Sequence, residues 1–424
     1  MRFLHAAFLL ALPLCAAPHP GIVLITVDTL RPDHLSRYGY ARATSPAIDR
    51  LLASSIEFTD ARTVEPLTSP ALGSMLVSLP PHVHGATRNG IPMSPVAESL
   101  PLELRRHGYR TGAFVSNWVL AEKACGFATH FDRYEERFDR KRWFGFALDE
   151  GSAGNVADAA LRWIDEDPAR PFFAWLHFSE PHAPYRLHAR FADRLGIPRL
   201  LPKARDRYDT EIAAVDDAVD DLLSELARRG LLDGRIIVAF ASDHGEAFGE
   251  HGEKGHGRHL WDTTLRIPMA VWWPGELQPR TVEAPATILD LAPTLLGLLG
   301  FPVPAAFQGF DWSGESEPAP LRRLFFEAHK SAVLLGDRSA ARAGGLLELA
   351  VLDRGIKTVT RLTDGGVFSH DLDADPDELR PLERAHALPP VLLELVRQRL
   401  GTAKTPPPLG DELARRLRSL GYLR

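Results

Sequence analysis

Cysteine is nearly missing from this chain: only Cys15 and Cys125 occur in 424 residues. Cys15 sits in an N-terminal segment that reads as removable, so the mature chain keeps one cysteine and no internal disulfide framework can form. A fold of this length must then be held by its own core, which 45% hydrophobic residues can supply. A surplus of either charge is missing too, since 49 Lys and Arg face 55 Asp and Glu for a formal net charge of -6. That balance gives a polyanion no broad electrostatic foothold and excludes nucleic acid as the expected partner. Internal repeats and long low-complexity tracts are also lacking, which sets aside fibrous and disordered readings. Length suggests one large domain plus a smaller one.

What is present begins with an export signal over residues 1–17. Arg2 gives a basic start, Phe3 to Leu14 is largely apolar, and Cys15-Ala16-Ala17 suit cleavage. The apolar stretch is too short to span a bilayer. Pro18 disfavours cleavage just before it. Export to the periplasm or outside the cell is the expectation, with a lipid anchor at Cys15 as the alternative reading, though Leu14 suits that processing poorly.

Several apolar runs end abruptly in polar residues. Gly21 to Val27 ends at Asp28, Thr111 to Val115 at Ser116-Asn117, Phe172 to Phe178 at Ser179-Glu180 and His182, and Arg235 to Ala241 at Ser242-Asp243-His244. Such runs suit strands buried on both faces. Between them, Ile212, Val215, Val219, Leu222, Leu223 and Leu226 share one helical face, with Gly230 just beyond. Alternating strands and helices predict an α/β fold, a mostly parallel sheet sandwiched by helices over residues 21–318. Ligands in such sheets bind beyond the carboxyl ends of the strands, where these polar residues collect. From residue 319 the texture changes to short strands near Leu324-Phe326, Leu346-Leu352 and Lys357-Leu362, a hairpin signal at Asp364-Gly365-Gly366, and a helix near Pro390-Leu400. A stiff Pro406-Pro408 connector and a short basic helix follow. Residues 319–424 therefore read as a smaller C-terminal α+β subdomain with an antiparallel sheet.

Four segments carry chemistry. A carboxylate at a strand end, Asp28, can hold a divalent cation or simply cap a turn. Arg31 can pair with Asp33 or contact an anionic ester. In Leu67-Thr68-Ser69-Pro70, Ser69 is a favourable N-cap and Pro70 a favoured first helical residue, which would put Thr68 beside the positive end of a helix. A metal-activated hydroxyl there is a nucleophile; otherwise it is an ordinary cap. Asp243 and His244 offer one oxygen and one nitrogen, a set suited to Zn, Mn or a harder cation, and Gly245 lets the backbone turn beneath them. Glu246 and Glu250 orient these ligands or begin a helix. His256, twelve residues past His244, either returns to the site or lies on a surface loop. Prolines stiffen the loop around His182, which can protonate a leaving group or bind the transferred group's oxygens. His177, inside its strand, reads as a core or supporting histidine.

Together these segments resemble the sulfatase family. VDTLRPD, TSP, PPHVHG, LHFSEPHAPY and SDHGEAFGEHGEKGHG occur in that order between residues 21 and about 275, and LDADPDE and RSLGYL resemble family tails. The resemblance implies an alkaline-phosphatase-like fold and an anionic ester substrate, with sulfated or phosphorylated glycans or lipids among the candidates. It implies one divalent metal ion (Ca, Mn or Zn) on Asp28, Asp243 and His244, and ester contacts from Asn89 and His182. His256 falls near a family lysine. Thr68 stands where sulfatases place the cysteine or serine that becomes formylglycine, a conversion threonine cannot undergo, and Ala71-Leu72 replace the usual Ser-Arg. Thr29 stands where a second acidic ligand is typical, which weakens a calcium-type site. These departures favour a threonine nucleophile acting on phosphate or phosphonate esters over sulfate. They leave open a phosphoglycol-group transferase acting on envelope glycan or lipid, or a binding protein that kept the fold.

Overall fold

The structure is a computed structural model and describes residues 19–95, 98–138, 142–143, 146–147, 151–314, 322–329 and 345–385. The N-terminal segment 1–17, the helix expected near 390–400, the proline connector and the basic C-terminal helix lie outside the described residues.

The long apolar runs do become strands. The main sheet contains β1 (Gly21–Val27), β2 (Ile56–Phe58), β3 (Arg110–Val115), β4 (Arg133–Glu136), β5 (Phe172–Phe178), β6 (Ile236–Ser242), β7 (Met269–Trp272) and β8 (Arg280–Val282). Their order across the sheet is β8-β2-β7-β6-β1-β5-β3-β4. Only β7 runs against its neighbours, and every other pairing is parallel. The strand predicted over 235–241 is displaced by one residue, so Ser242 ends β6 and pairs with Val27.

Every residue of β1, β5 and β6 is buried, as the unbroken apolar composition requires. Strand geometry sends alternate residues to opposite faces. Ile22, Leu24, Phe173 and Trp175 enter one core, while Val23, Ile25, Val27, Leu176 and Phe178 enter the other. Each such side chain contributes roughly 1.5–3 kcal/mol on burial. Helices α1 (Thr68–Val77), α2 (Ala153–Glu166), α3 (Ala204–Arg228) and α4 (Leu291–Leu298) cover the faces. Leu72, Met75, Leu291 and Leu295 of α1 and α4 pack in the first core, and Val156, Ile164, Ile212 and Val219 of α2 and α3 in the second. The expected face of α3 is buried except for Leu223, which is half-buried.

A second sheet, β9 (Leu324–His329), β10 (Leu346–Asp353), β11 (Ile356–Arg361) and β12 (Val367–Asp371), is wholly antiparallel. The turn at Asp364–Gly366 joins β11 to β12, with Gly365 at φ 75° and Gly366 N–H donating to Asp364 Oδ1 at 2.9 Å. This sheet is fastened to the main body in three ways. Leu324, Phe326 and Leu352 share a core with Leu260 and Leu265. Glu327 N–H donates to the Val64 carbonyl at 2.9 Å. The buried Lys357 ammonium pairs with Asp262 at 2.7 Å and Glu378 at 2.6 Å.

Candidate functional site

The strands deliver their polar endings to one place. Asp28 directly follows β1, and Asp243 and His244 directly follow β6; all three are fully buried, as is Thr68 at the start of α1. Thr68 Oγ1 lies 3.4 Å from His244 Nε2. His244 Nε2 is 3.5 Å from Asp243 Oδ2 and 3.8 Å from Asp28 Oδ1. The turn out of β1 places Thr29 at φ 58°, a conformation that disfavours β-branched residues. Tyr208 helps to hold it by donating to the Thr29 carbonyl at 2.6 Å, while Thr29 N–H donates to Asp243 Oδ1 at 3.0 Å. Ser242 Oγ, 2.7 Å from the His244 carbonyl, braces the turn out of β6.

Gly245 is required here for space rather than for a sharp turn. A Cβ at this position would sit 2.2 Å from the Thr263 carbonyl oxygen, so any side chain would push the His244 loop off its neighbour.

Burial sets the electrostatics. It drives the Asp243 carboxyl well above the usual carboxylate range, with the charge of Asp28 adding to the rise. His244 is held far below its ordinary value by burial, with His256 lowering it further. Asp243 Oδ2 is buried and accepts no hydrogen bond among the described residues. An oxygen in that state costs several kcal/mol unless a cation compensates it. A divalent ion suits this donor set: the neutral His244 imidazole stands 3.5 Å from one carboxylate and 3.8 Å from the other, near the roughly 3.3–3.6 Å edges of a tetrahedron with metal bonds of about 2.0–2.2 Å. Asn117, at the end of β3, donates its Nδ2 to Asp28 Oδ2 and so orients that carboxylate.

The helix after Thr68 begins differently from the expectation. Thr68 is itself the first helical residue and Leu67 occupies the cap position without a side-chain bond. Ser69 Oγ donates to the Val119 carbonyl at 3.0 Å. The terminal backbone N–H of Ser69 is satisfied from a distance, by Asn89 Oδ1 at 2.9 Å. Asn89 thus serves as a helix cap, which nothing in local sequence signals, and its buried Nδ2 remains unbonded among the described residues.

The two remaining site histidines come together. His256 Nε2 lies 3.4 Å from His182 Nε2, and its Nδ1 lies 3.1 Å from the Pro66 carbonyl. The His256 ring packs on His244 with centroids 4.2 Å apart. Burial, with His182 adding, pushes the His256 pKa down to about 3. Arg31 is committed elsewhere: it pairs with Asp33 at 2.6 Å and Glu250 at 2.9 Å, and donates to the Glu246 carbonyl at 2.8 Å. Glu246 starts no helix, while Glu250 begins a single 3₁₀ turn, Glu250–Gly252, set between the two short paired strands Ala247–Phe248 and Lys254–Gly255. A cavity of about 760 Å³ lies beside Arg31, Asp33 and Glu250, and none of its walls come from Thr68, Asp243 or His244.

The Sulfatase family profile matches residues 20–301, most of the chain and all of its main sheet. The chain belongs to the sulfatase family. Within it, the chain is 28% identical to the ulvan-active sulfatase of Formosa agariphila over 403 residues, covering 84% of this chain and 76% of that protein. A solved structure complexed with its substrate D-glucosamine-2-N,6-O-disulfate superposes at TM-score 0.70 and 18% identity, covering 93% of this chain and 100% of the other. The phosphonate monoester hydrolase of Agrobacterium radiobacter superposes at 0.69 and 20% identity, with 96% of each chain covered. Family membership makes the chain a sulfatase-family ester hydrolase of the alkaline phosphatase superfamily, and the mostly parallel sheet is the fold those structures share. No helix among the described residues is long and apolar enough to cross a membrane.

Proposed function

We propose that the protein is a metal-dependent hydrolase in which Thr68 is the nucleophile and phosphate or phosphonate esters are favoured over sulfate. The observation that carries this reading is Thr68 Oγ1 at 3.4 Å from His244 Nε2, inside the buried cluster that gathers Asp28 and Asp243. Threonine cannot become an aldehyde hydrate, so its hydroxyl must act directly.

Asp28, Asp243 and His244 would hold one divalent ion of the Mn or Zn type, with Ca less suited to an imidazole ligand. Bound there, such an ion supplies positive charge that favours the deprotonated hydroxyl and offsets charge on the ester. Thr68 Oγ then attacks phosphorus or sulfur in line with the leaving alcohol; the Oγ bond forms as the ester bond breaks. Asn89 Nδ2 and the first backbone N–H groups of α1 stabilise the equatorial oxygens. His182, paired with the neutral His256, donates a proton to the leaving oxygen. Water, deprotonated by the same pair, next releases the ester from Thr68 and regenerates the hydroxyl. Two similar structures are complexed with D-glucosamine-2-N,6-O-disulfate and with a neocarrahexaose, which supports a glycan or glycolipid as the substrate's organic portion. The N-terminal segment supports export to the periplasm or beyond.

The test is a panel of aryl sulfate, phosphate monoester, phosphate diester and phosphonate monoester substrates with Mn²⁺, Zn²⁺ and Ca²⁺. Turnover of a phosphorus ester that disappears in Thr68→Ala is the expected result. A clear preference for sulfate, or full turnover by Thr68→Ala, would sink the proposal.

A further inference from the structure

We infer that His177 is a direct ligand of the site's cation, making a two-nitrogen, two-carboxylate cradle that selects a borderline ion such as Zn²⁺ over Ca²⁺. This rests on the metal-dependent reading above and adds a residue that the strand-end motifs do not contain.

His177 is the penultimate residue of β5 and fully buried. Its Nε2 lies 3.7 Å from Asp28 Oδ2, and Asp28, His177 and Asp243 each place a ligand atom within 4.8 Å of the others. The far side of the ring shows which nitrogen carries the proton. Thr26 Oγ1 receives the Trp175 indole N–H at 2.9 Å and lies 3.2 Å from the Leu176 carbonyl. A hydroxyl proton given to that carbonyl, which only accepts, satisfies every contact at once and leaves Oγ1 an acceptor toward the ring. His177 Nδ1, 2.9 Å from the same hydroxyl, is then the donor of that pair, and Nε2 presents a lone pair to Asp28. His244 repeats the arrangement: its Nδ1 donates to the Gly245 carbonyl at 2.9 Å, leaving Nε2 as an acceptor facing Asp28 and Asp243.

Asp28, His177 and Asp243 thus gather one ligand atom each at one buried point, and His244 Nε2 faces the same two carboxylates from 3.8 and 3.5 Å. Carboxylate–imidazole spacings of 3.5–3.8 Å suit ligands of a shared ion better than direct hydrogen bonds. A cation there would bind both carboxylates and both imidazoles. Thr26 and Gly245 then play the usual outer role of metal-binding histidines, fixing ring orientation through the second nitrogen. Two nitrogen donors move the preference away from Ca²⁺, which takes oxygen ligands, toward Zn²⁺ or Mn²⁺.

The experiment is X-ray absorption at the zinc edge on the full chain, stripped and reloaded with Zn²⁺, beside Zn²⁺ and Ca²⁺ affinities for wild type and His177→Gln. Two imidazoles per zinc in wild type, one in His177→Gln, and a zinc affinity lowered at least about 100-fold in the variant are expected. Wild type with one zinc and a single imidazole would overturn this inference while leaving the hydrolase reading intact. Wild type that binds no stoichiometric cation would overturn both. The imidazole count in wild type needs no variant, so a misfolded His177→Gln would not shield the idea.

Discussion

Two buried clusters in this protein are built from the same residue types and behave oppositely. At the junction between the two sheets, Glu65, Glu327 and His329 are buried, and His82 is partly so. There the histidine nitrogens meet carboxylates: His329 Nδ1 lies 2.8 Å from Glu65 Oε2, and His82 Nδ1 bonds Glu327 Oε1. At the site, the carboxylate–imidazole distances are 3.5–3.8 Å. At the junction each histidine has one short bond to a carboxylate, although His329 Nε2 stands 3.8 Å from Glu327 Oε2, whereas at the site the His177–Asp28, His244–Asp28 and His244–Asp243 pairs lie at 3.5–3.8 Å. Short histidine–carboxylate bonds, more than composition, set the two clusters apart.

The largest expected effect is on chemistry. Thr68→Ala should lower kcat at least about 10³-fold with little change in melting temperature, since only one small hydroxyl is lost; steady-state kinetics beside a thermal melt would show it. Removing the cation comes next. With metal at about 1,000 times its Kd, chelation should cost about 4 kcal/mol of stability, read as a lower melting temperature that Zn²⁺ or Mn²⁺ restores. If the junction also depended on metal, His329→Ala would abolish the chelator's effect; the expectation is that the effect persists.

His329→Ala itself should destabilise by about 3–5 kcal/mol, because it strands two buried carboxylates. Urea unfolding measures this. The junction also has a pH signature. Burial outweighs the pull of His329 and pushes Glu65 up to about 7 from an ordinary 4.5. The folded state therefore binds more protons between those values, and stability falls as pH rises through them, by about 3 kcal/mol at most. Glu65→Gln should flatten that slope. The smallest effect is at Asn89: Asn89→Ala removes a helix cap and should cost about 1 kcal/mol, with a separate loss of kcat if its amide touches the ester.

The strand ends were the legible part. Gly21–Val27 and Phe172–Phe178 are runs with one reading, and the polar residue that stops each run stands where parallel sheets bind ligands. Short strands such as Ile56–Phe58 and the reversed Met269–Trp272 are not legible, because three or four residues carry no period and their direction is decided by distant partners. At the site, Asp28 is visible as the polar end of an apolar run, and Asp243 and His244 as an adjacent pair at the end of another. His177 is hidden because its signal is relational: a polar residue in a buried strand means little until Thr26 and Asp28 are seen beside it. Asn89 is hidden for the same reason, since the Ser69 N–H it caps lies twenty residues earlier in the chain. The expectation of Ser69 as cap rested on local preference, which the distant carboxamide overrides.

The bond from Glu327 N–H to the Val64 carbonyl has a consequence for how such proteins can diverge or be recombined. It ties β9 to the chain four residues before Thr68, and the His329 backbone N–H grips Glu65 Oε1 one residue further on, at 2.8 Å. A chimera that exchanged the C-terminal sheet with that of a relative would carry away the brace of Thr68. To stay active it would have to bring residues 63–67 along as part of the same inherited block.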